Sequence, residues 1–219
     1  RDWSSDVCSY DLVEGVHTQN FPDGLSGVAA AKAEIFEGFE GAREATAVLN
    51  RDNLFFDFLM QKARRQGAAH VTSFGTDTTA DFRLVDLQAE ATASIATISA
   101  RGRPLRYRIG TAGRHWALNS LAVLAACEAL GVDIMTAAEA FAMITAPKGR
   151  GQRHRLPLAG GTYELIDDSY NASPASMRAS FEVLKTAVTG AGGQRIAILG
   201  DMLELGSQAD RKSTRLNSS

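Results

Sequence analysis

DDSYNASPASMRASFEVLKTAVTGAGGQRIAILGDMLELG, the stretch from Asp167 to Gly206, carries the strongest structural signal in the chain. An apolar segment that ends in two carboxylates, YELIDD, leads into it and predicts a strand. Ser173 and Pro174 then stand at the N-cap and first positions of a predicted helix. The apolar side chains that predict one buried face of this helix are Met177, Phe181, Leu184 and Val188. With a second strand predicted at 196–199, the stretch forms a β–α–β unit whose strand ends carry polar residues, the place where open α/β sheets bind ligands.

Upstream of this unit, the hydrophobic pattern predicts alternating helices and strands. A helix that Asp23 caps is predicted over 24–38, followed by strands and helices over 43–50, 54–65, 70–74, 115–130 and 134–144. Between 80 and 109 the apolar period changes to two, and ARGR at 100–103 predicts a tight turn. The pattern therefore predicts an α/β fold with an antiparallel meander on one side and a linker at PKGRG.

Composition excludes several classes of protein. The chain has 219 residues, a net charge of −2 and no basic patch, so neither nucleic acid nor a membrane surface is an expected partner. No apolar run approaches the ~20 residues that span a bilayer. Its two cysteines, Cys8 and Cys127, form no CxxC pair, which argues against a disulfide framework or a zinc site. We therefore expect a cytoplasmic protein.

Five motifs in a fixed order resemble the Mur ligase family over residues 13–210. They are AAKAEIFEGF (30–39), AVLNRDN (47–53), GRHWALNSLAVLAA (113–126), PKGRGQ (147–152) and DDSYNASPASMR (167–178), the last followed by AILGDMLELG. The resemblance implies that 12–151 are part of a central ATP-binding domain, with a mostly parallel sheet and an antiparallel flap. It implies that 152–210 begin a Rossmann-like carboxy-terminal domain.

The resemblance also implies a reaction. Within the family it favours ATP- and Mg²⁺-dependent joining of D-alanyl-D-alanine to UDP-N-acetylmuramoyl-tripeptide through an acyl phosphate, by a monomer, in peptidoglycan synthesis. Two alternatives stay open: a folded remnant without activity, and a sister ligase such as folylpolyglutamate synthase. A dinucleotide oxidoreductase is disfavoured, because GAGGQ precedes a predicted strand and the dinucleotide fingerprint must follow one.

Both ends of the chain differ from the rest. Residues 1–11 and 211–219 are rich in serine, lack periodicity and resemble translated sequencing-adapter sequence, so we expect foreign or disordered ends; an ordinary frayed terminus is the alternative. The sequence contains no GxxxxGK[ST], the loop that cradles nucleotide phosphates. We therefore expect an internal fragment of a longer ligase that is inactive by itself.

Lys32 is the strongest candidate for a chemical role. It lies among the apolar side chains of its helix, between Val28 and Ile35, where an unpaired ammonium is costly to bury. A lysine that extends its charged end to solvent is the alternative. The resemblance implies a carbamate on Lys32 that acts in catalysis and helps hold Mg²⁺, with His17 as a metal ligand. Gln19 stands where the family commonly has an acidic residue, which leaves a supporting role at that position in doubt.

Three polar residues are candidates for nucleotide binding. Asn50 follows a predicted strand, and the resemblance implies contact with the adenine region; a turn-forming asparagine is the alternative. His115 and Asn119 lie one helical turn apart and share a face. The resemblance implies that both line the nucleotide pocket, whereas Asn119 could also be a polar group packed on its helix.

The remaining candidates lie at and beyond the predicted linker. The resemblance implies that Arg150, between two glycines, reaches ATP from the hinge between domains; a solvated linker arginine is the alternative. It implies that Asp168, in preference to Asp167, binds the ribose or holds the next domain closed. Tyr170 and Asn171 are expected in the same cleft, facing substrate.

Overall fold

A computed structural model describes residues 7–10 (backbone only), 21, 23–42, 44–158 and 160–200. Eight strands and five helices lie within these ranges, with short 3₁₀ segments after the first and fourth helices. The strands are β1 Val7–Tyr10, β2 Thr46–Asn50, β3 His70–Gly75, β4 Phe82–Ala89, β5 Ser94–Ala100, β6 Arg103–Ile109, β7 Gln152–Leu158 and β8 Gly161–Asp167. The helices are α1 Leu25–Ala33, α2 Phe56–Arg65, α3 Arg114–Ala129, α4 Ile134–Ala140 and α5 Pro174–Thr186.

Six strands form one mixed sheet in the order β1-β2-β3-β4-β5-β6. Strands β1 to β4 pair in parallel, and β4 to β6 pair antiparallel. The two halves meet at a short junction, because β3 and β4 pair only through Phe74 with Phe82 and Gly75 with Arg83. The predicted α/β fold, with a mostly parallel sheet and an antiparallel flap, is confirmed.

Two buried clusters hold this sheet between helices. On one face, α3 and α4 cover the inward side chains of β2 to β6, including Phe74, Phe82 and Leu121. On the other face, the end of α1, the 3₁₀ segment that follows it and α2 cover β2, with Phe36 and Phe39 fully buried. Alternation of buried and outward residues along β5 and β6 explains the period of two in the sequence.

The turn between β5 and β6 has two residues with positive φ, Arg101 at 46° and Gly102 at 83°. Such a turn matches the twist of antiparallel strands, but it is unfavourable for a residue with a side chain. Arg101 is held there by its partners: its N–H donates to the carbonyl of Asp81 at 2.7 Å, and its side chain donates to Glu128 at 2.7 Å and Thr72 at 3.0 Å. The predicted tight turn at 100–103 is confirmed, and it is anchored to the end of α3.

The carboxy-terminal part differs from the predicted β–α–β unit. Strand β8 pairs antiparallel with β7, in a hairpin that the sequence analysis did not predict. Helix α5 begins at Pro174, and Ser173 caps it by accepting the N–H of Ser176 at 3.1 Å, as predicted. The prediction of a second strand is wrong: residues 196–199 form no strand, and Ile198 is 90% exposed. A strand needs a paired neighbour, and within the described residues none lies beside this segment.

Three further expectations need correction. The apolar face of α5 is not buried, since Phe181 is 39% exposed and Val188 lies beyond the end of the helix. The first helix becomes 3₁₀ after Ala33, and Gly24 takes the N-cap position without a side-chain hydrogen bond, so Asp23 does not cap it. Residues 1–11 do not lack structure throughout, because Val7–Tyr10 pairs with the open edge of β2. Separately, none of the described helices is long and apolar enough to cross a membrane.

Candidate functional site

The carboxyl ends of β2 and β3 carry a connected set of polar groups. Asn50 ends β2, and its side-chain oxygen accepts the N–H of Asp52 at 2.9 Å. Asp52 in turn accepts the N–H groups of Thr76, at 2.7 Å, and Asp77, at 2.8 Å, just after β3. The turn after one strand is therefore bonded to the loop after the next, at the edge where parallel sheets bind ligands.

Gly75 makes this approach possible. Its φ is 150°, and a Cβ there would lie 2.7 Å from the Asp52 carboxylate, so a side chain at this position would collide with the bonding group. Beside it, the pKa of Asp77 is lowered, chiefly because Thr79 donates hydrogen bonds to its carboxylate. Arg51 also lowers the pKa of Asp77, and its Cζ stacks 4.3 Å from the ring centroid of Phe56. At this edge the carboxylates of Asp52 and Asp77 are therefore held by hydrogen bonds from neighbouring backbone and side-chain groups.

Lys32 lies in the last turn of α1 and is half-buried. Neighbouring Val28, Ala29 and Ala33 are buried, so Lys32 lies beside buried apolar residues of its helix. His17 and Gln19 lie outside the described residues. The geometry of a site shared by Lys32 and His17 thus stays a prediction.

The amino end of α3 meets the carboxy-terminal segment. His115 is exposed on one side, yet neighbouring atoms desolvate its imidazole and lower its pKa, an effect that the nearby Asp168 carboxylate opposes. Ser180 of α5 donates a short hydrogen bond to Asp168. Gly113 packs here as well: a Cβ on it would lie 2.7 Å from the ring of His115 and 3.4 Å from Val183. The Asp168 carboxylate, just after β8, is therefore close enough to act electrostatically on His115 of α3.

The predicted linker crosses the turn that follows β8. Tyr170 donates its N–H to the carbonyl of Gly149 at 3.0 Å, and Gly151 donates its N–H to the carbonyl of Asp167 at 2.8 Å. These bonds bring Arg150 over the ring of Tyr170, with 4.4 Å from Cζ to the ring centroid. Arg150 and Tyr170, which were predicted separately, form a stacked pair.

The other predicted residues occupy exposed positions nearby. Asn119 lies one turn after His115 on α3 and is exposed. Asn171 is exposed, and its side-chain oxygen accepts the N–H of Ala172 at 2.8 Å. Asp167 accepts the hydroxyl of Ser169 at 2.6 Å, and this bond is the main reason that the pKa of Asp167 is lowered. Asp167 therefore orders the turn, while Asp168 accepts the hydrogen bond from Ser180 of α5.

Several side chains of this region can take part in further hydrogen bonds. The amides of Asn50 and Asn119 and the imidazole of His115 can each donate and accept, while the guanidinium of Arg150 only donates. Within the described residues, no three His, Cys, Asp or Glu side chains are grouped as metal ligands. The sequence also lacks a phosphate-binding GxxxxGK[ST] loop.

Sequence reasoning missed three residues of this region. Asp52 follows Asn50 by two positions, a spacing typical of turns, but its bonds to Thr76 and Asp77 depend on how two strands align. Ser180 has no motif that indicates its bond to Asp168. Gly149 was expected to allow a close backbone approach, but nothing in the sequence indicated that, with a φ of 72°, it would pack against Tyr170.

Comparisons with known proteins agree with this architecture. Residues 12–127 match the model of the Mur ligase middle domain. The UDP-N-acetylmuramoyl-tripeptide–D-alanyl-D-alanine ligases of Rickettsia prowazekii and Bacillus subtilis are 29% and 31% identical, over 85% and 82% of this chain. The UDP-N-acetylmuramate–L-alanine ligase of Streptomyces coelicolor is 32% identical over 78% of it. The chain spans only 40%, 36% and 36% of these relatives' lengths.

Solved structures show the same fold. A crystal structure of MurF from Acinetobacter baumannii has a TM-score of 0.80 at 24% identity, covering 95% of this chain and 42% of that chain. MurF ligase from Thermotoga maritima in complex with ADP has a TM-score of 0.72 at 23% identity, covering 96% and 45%. The apo form of L. casei FPGS has a TM-score of 0.67 at 14% identity, covering 96% and 48%. Since the middle-domain match also extends over more than half of the sequence, the chain belongs to the Mur ligase family.

Proposed function

We propose that this chain is part of an ATP- and Mg²⁺-dependent ligase that joins D-alanyl-D-alanine to UDP-N-acetylmuramoyl-tripeptide. Relatives named for this reaction, at 29% to 31% identity, support the proposal. The observation that carries it is the meeting of the linker with the turn after β8, which gathers polar groups from both sides of the predicted domain boundary. That boundary, between 12–151 and 152–210, belongs to the proposal. A cytoplasmic location and a monomeric state also remain predictions.

In this proposal the chain contributes part of the ATP site. Asn50 contacts the adenine region, and His115 and Asn119 line the pocket from the first turns of α3. Arg150 reaches the nucleotide from the linker, and Asp168 binds the ribose or holds the next domain closed. The adjoining turn, with Tyr170 and Asn171, faces the substrate. The support is positional: α3 packs against β2, and the Asp168 carboxylate acts electrostatically on His115 at its amino end.

Lys32 and His17 have a different part in the proposal. Lys32 is carbamylated: its neutral amine adds to carbon dioxide, a C–N bond forms, and one proton is released to solvent. The product is an anion in place of a cation, which suits a half-buried position beside a metal. His17 is the proposed second ligand. The ligation itself depends on positioning and on neutralisation of developing charge.

The proposed reaction is tested with the full-length parent enzyme, recovered from the genomic sequence around residues 12–210. Phosphate release should require ATP, UDP-N-acetylmuramoyl-tripeptide and D-alanyl-D-alanine together. The 219-residue chain, assayed in parallel, should release no phosphate above a blank, because it has no GxxxxGK[ST] loop. Activity of the parent with a different substrate pair would overturn the assignment of this reaction.

Two other reactions belong in the same assay. The 32% identity to a UDP-N-acetylmuramate–L-alanine ligase supports that reaction as a second candidate. The structural likeness to L. casei FPGS covers 96% of this chain, so folylpolyglutamate synthesis is included as a further reaction to test. UDP-N-acetylmuramate with L-alanine, and a folate with glutamate, are therefore offered to the parent enzyme separately. Phosphate release with either pair, and none with D-alanyl-D-alanine, would replace the proposed substrate.

The carbamate on Lys32 is tested by substitution in the parent enzyme. Lys32→Ala should remove most ligase activity and leave the helix intact, since alanine has the highest helix propensity. Lys32→Arg should be equally inactive, because a guanidinium stays positive and does not take up carbon dioxide. Acetate should restore part of the activity of Lys32→Ala by supplying a carboxylate. Near-normal turnover by Lys32→Arg would contradict the carbamate.

A further inference from the structure

Arg150 and Tyr170 form a stacked pair although both side chains are exposed to solvent. Arg150 is exposed, and Tyr170 is 68% exposed, so burial does not hold either side chain in place. Long exposed arginines ordinarily sample many rotamers, and ordering one carries an entropy cost. The separation of 4.4 Å between Cζ and the ring centroid nevertheless places the guanidinium directly against the aromatic face.

The backbone beneath the pair explains why the two side chains meet. The hydrogen bond from Tyr170 to Gly149 and the bond from Gly151 to Asp167 bracket Arg150 on both sides. Gly149 is buried, and a Cβ at this position would lie 3.0 Å from the Cβ of Tyr170 and 3.1 Å from its backbone nitrogen. Only glycine lets the two segments approach this closely. The ring of Tyr170 is therefore presented to Arg150 by a fixed backbone crossing.

We propose that Tyr170 is a positioning residue that holds the Arg150 guanidinium over its ring and so prepares it to meet an anionic group of the nucleotide. The aromatic ring supplies the contact, and the phenolic hydroxyl is not needed for it. Stacking leaves the in-plane N–H groups of the guanidinium directed outward, where they can donate to phosphate oxygens. The geometric part stands by itself, whereas the role toward nucleotide rests on the proposed function.

The geometric part is tested in the 219-residue chain by NMR. Side-chain protons of Arg150 should show an upfield ring-current shift in the wild-type chain and in Tyr170→Phe, and lose it in Tyr170→Leu. Tyr163→Leu, which removes another partly exposed tyrosine from β8, is the matched control and should leave the shift in place. An unchanged shift in Tyr170→Leu would show that the ring does not hold Arg150, and would overturn the proposal.

The positioning role is tested in the full-length parent through the KM for ATP. Tyr170→Leu should raise this KM about two- to five-fold with little change in kcat, as expected for loss of an exposed cation–π contact. Tyr170→Phe keeps the ring and should therefore show a smaller rise in the KM for ATP than Tyr170→Leu, and Tyr170→Leu should add nothing in an Arg150→Ala background. Arg153→Ala, at an arginine that pairs with Glu164 at 2.8 Å, controls for the loss of a positive charge.

The possible outcomes distinguish the stacking role of Tyr170 from the ATP-binding role of Arg150. A defect in Tyr170→Phe as large as that in Tyr170→Leu would assign the effect to the hydroxyl and overturn the stacking role. An additive loss in the double variant would overturn it too. If the NMR shift behaves as expected but Arg150→Ala leaves the KM for ATP unchanged, the ATP role of Arg150 fails, and the positioning role fails with it. Ligase activity with the proposed substrates would be unaffected by that result, which distinguishes the two failures.

Discussion

The six-stranded sheet and the segment from Gln152 to Gly200 use the same kinds of sequence pattern with different results. All members of the two buried clusters lie between Ala33 and Phe141. In the later segment, Ala187 is the only buried side chain among those described. Both regions contain strands and helices, but among the described residues a buried core is found in the first alone. Elements of secondary structure therefore form both where side chains are buried and where they are exposed.

The behaviour of α5 and of residues 196–199 shows where this dependence lies. A helix satisfies its backbone hydrogen bonds internally, and Ser173 with Pro174 completes its amino end, so α5 forms without being covered. A strand satisfies its backbone only through a neighbour, and 196–199 have none among the described residues. Local signals are thus sufficient for the helix and insufficient for the strand.

The largest expected difference is in the free energy of unfolding, when one phenylalanine from each region is replaced. Phe74→Ala, in the buried cluster under α3, should lower the free energy of unfolding by about 3–5 kcal/mol, because it leaves a cavity at a fully buried position. Phe181→Ala, on the exposed face of α5, should lower it by less than about 1 kcal/mol. Denaturant unfolding measures both. Should Phe74→Ala not fold, Phe74→Leu is used instead and should still lower the free energy of unfolding more than Phe181→Ala does. Equal losses at the two sites would refute the contrast between the regions.

A second contrast uses tyrosine ionisation. Burial raises the pKa of Tyr107 from 10.0 to about 12, although its hydrogen bond with Ser120 acts in the other direction. The folded state thus favours the neutral phenol, so this contribution is complete below pH 10 and is lost as the pH rises toward 12. The free energy of unfolding should fall by at most about 3 kcal/mol over this range.

Variants isolate that contribution from other groups that titrate at high pH. Tyr107→Phe should make the pH dependence shallower, because a phenylalanine has no proton to lose. Tyr163→Phe, at a partly exposed position in β8, should leave it unchanged. Denaturant unfolding at several pH values, together with the absorbance of the phenolate, provides the measurement. Identical slopes for Tyr107→Phe and the wild type would show that Tyr107 does not carry the effect.

The smallest expected effect is local to α5. Ser173→Ala removes the cap on the N–H of Ser176 and should destabilise the helix by about 0.5–2 kcal/mol. Amide hydrogen exchange in α5 should accelerate while exchange in β2 to β6 stays the same, since the helix lies outside the core. Ser173→Asp, which retains a capping oxygen, is the matched control. Faster exchange throughout the sheet would show that α5 and the core unfold together, against the comparison drawn above.

Much of the sheet was predictable because its signals are local or periodic. Alternation along β5 and β6 and the ARGR turn between them predicted the antiparallel meander, and the helices from α2 to α4 lie within a few residues of their predicted bounds. The hairpin of β7 and β8 was missed because β7, QRHRLPL, has no clean alternation. Residues 196–199 were predicted as a strand because their composition is apolar, whereas pairing depends on the presence of a neighbour.

The candidate site was predictable residue by residue, but not as an arrangement. Glycines on both sides of Arg150 indicated a close approach, yet nothing in the sequence indicated that Tyr170 would be the group approached. His115 and Asp168 lie 53 positions apart, and only the folded chain brings the carboxylate within electrostatic range of the imidazole. Such contacts between distant segments follow from topology, which a motif does not contain.

The anchored turn at Arg101 has a consequence for engineering the molecule. Because Arg101 ties the β5–β6 connection to Asp81, Thr72 and Glu128, an insertion there would detach it from β3, from α3 and from the loop before β4. The tip of the β7–β8 hairpin is the opposite case: Gly160 and Gly161 are exposed, and a Cβ on either would meet nothing within 4 Å. A tag, a protease site or a new pair of termini belongs at that tip, where the chain can be opened without loosening the sheet.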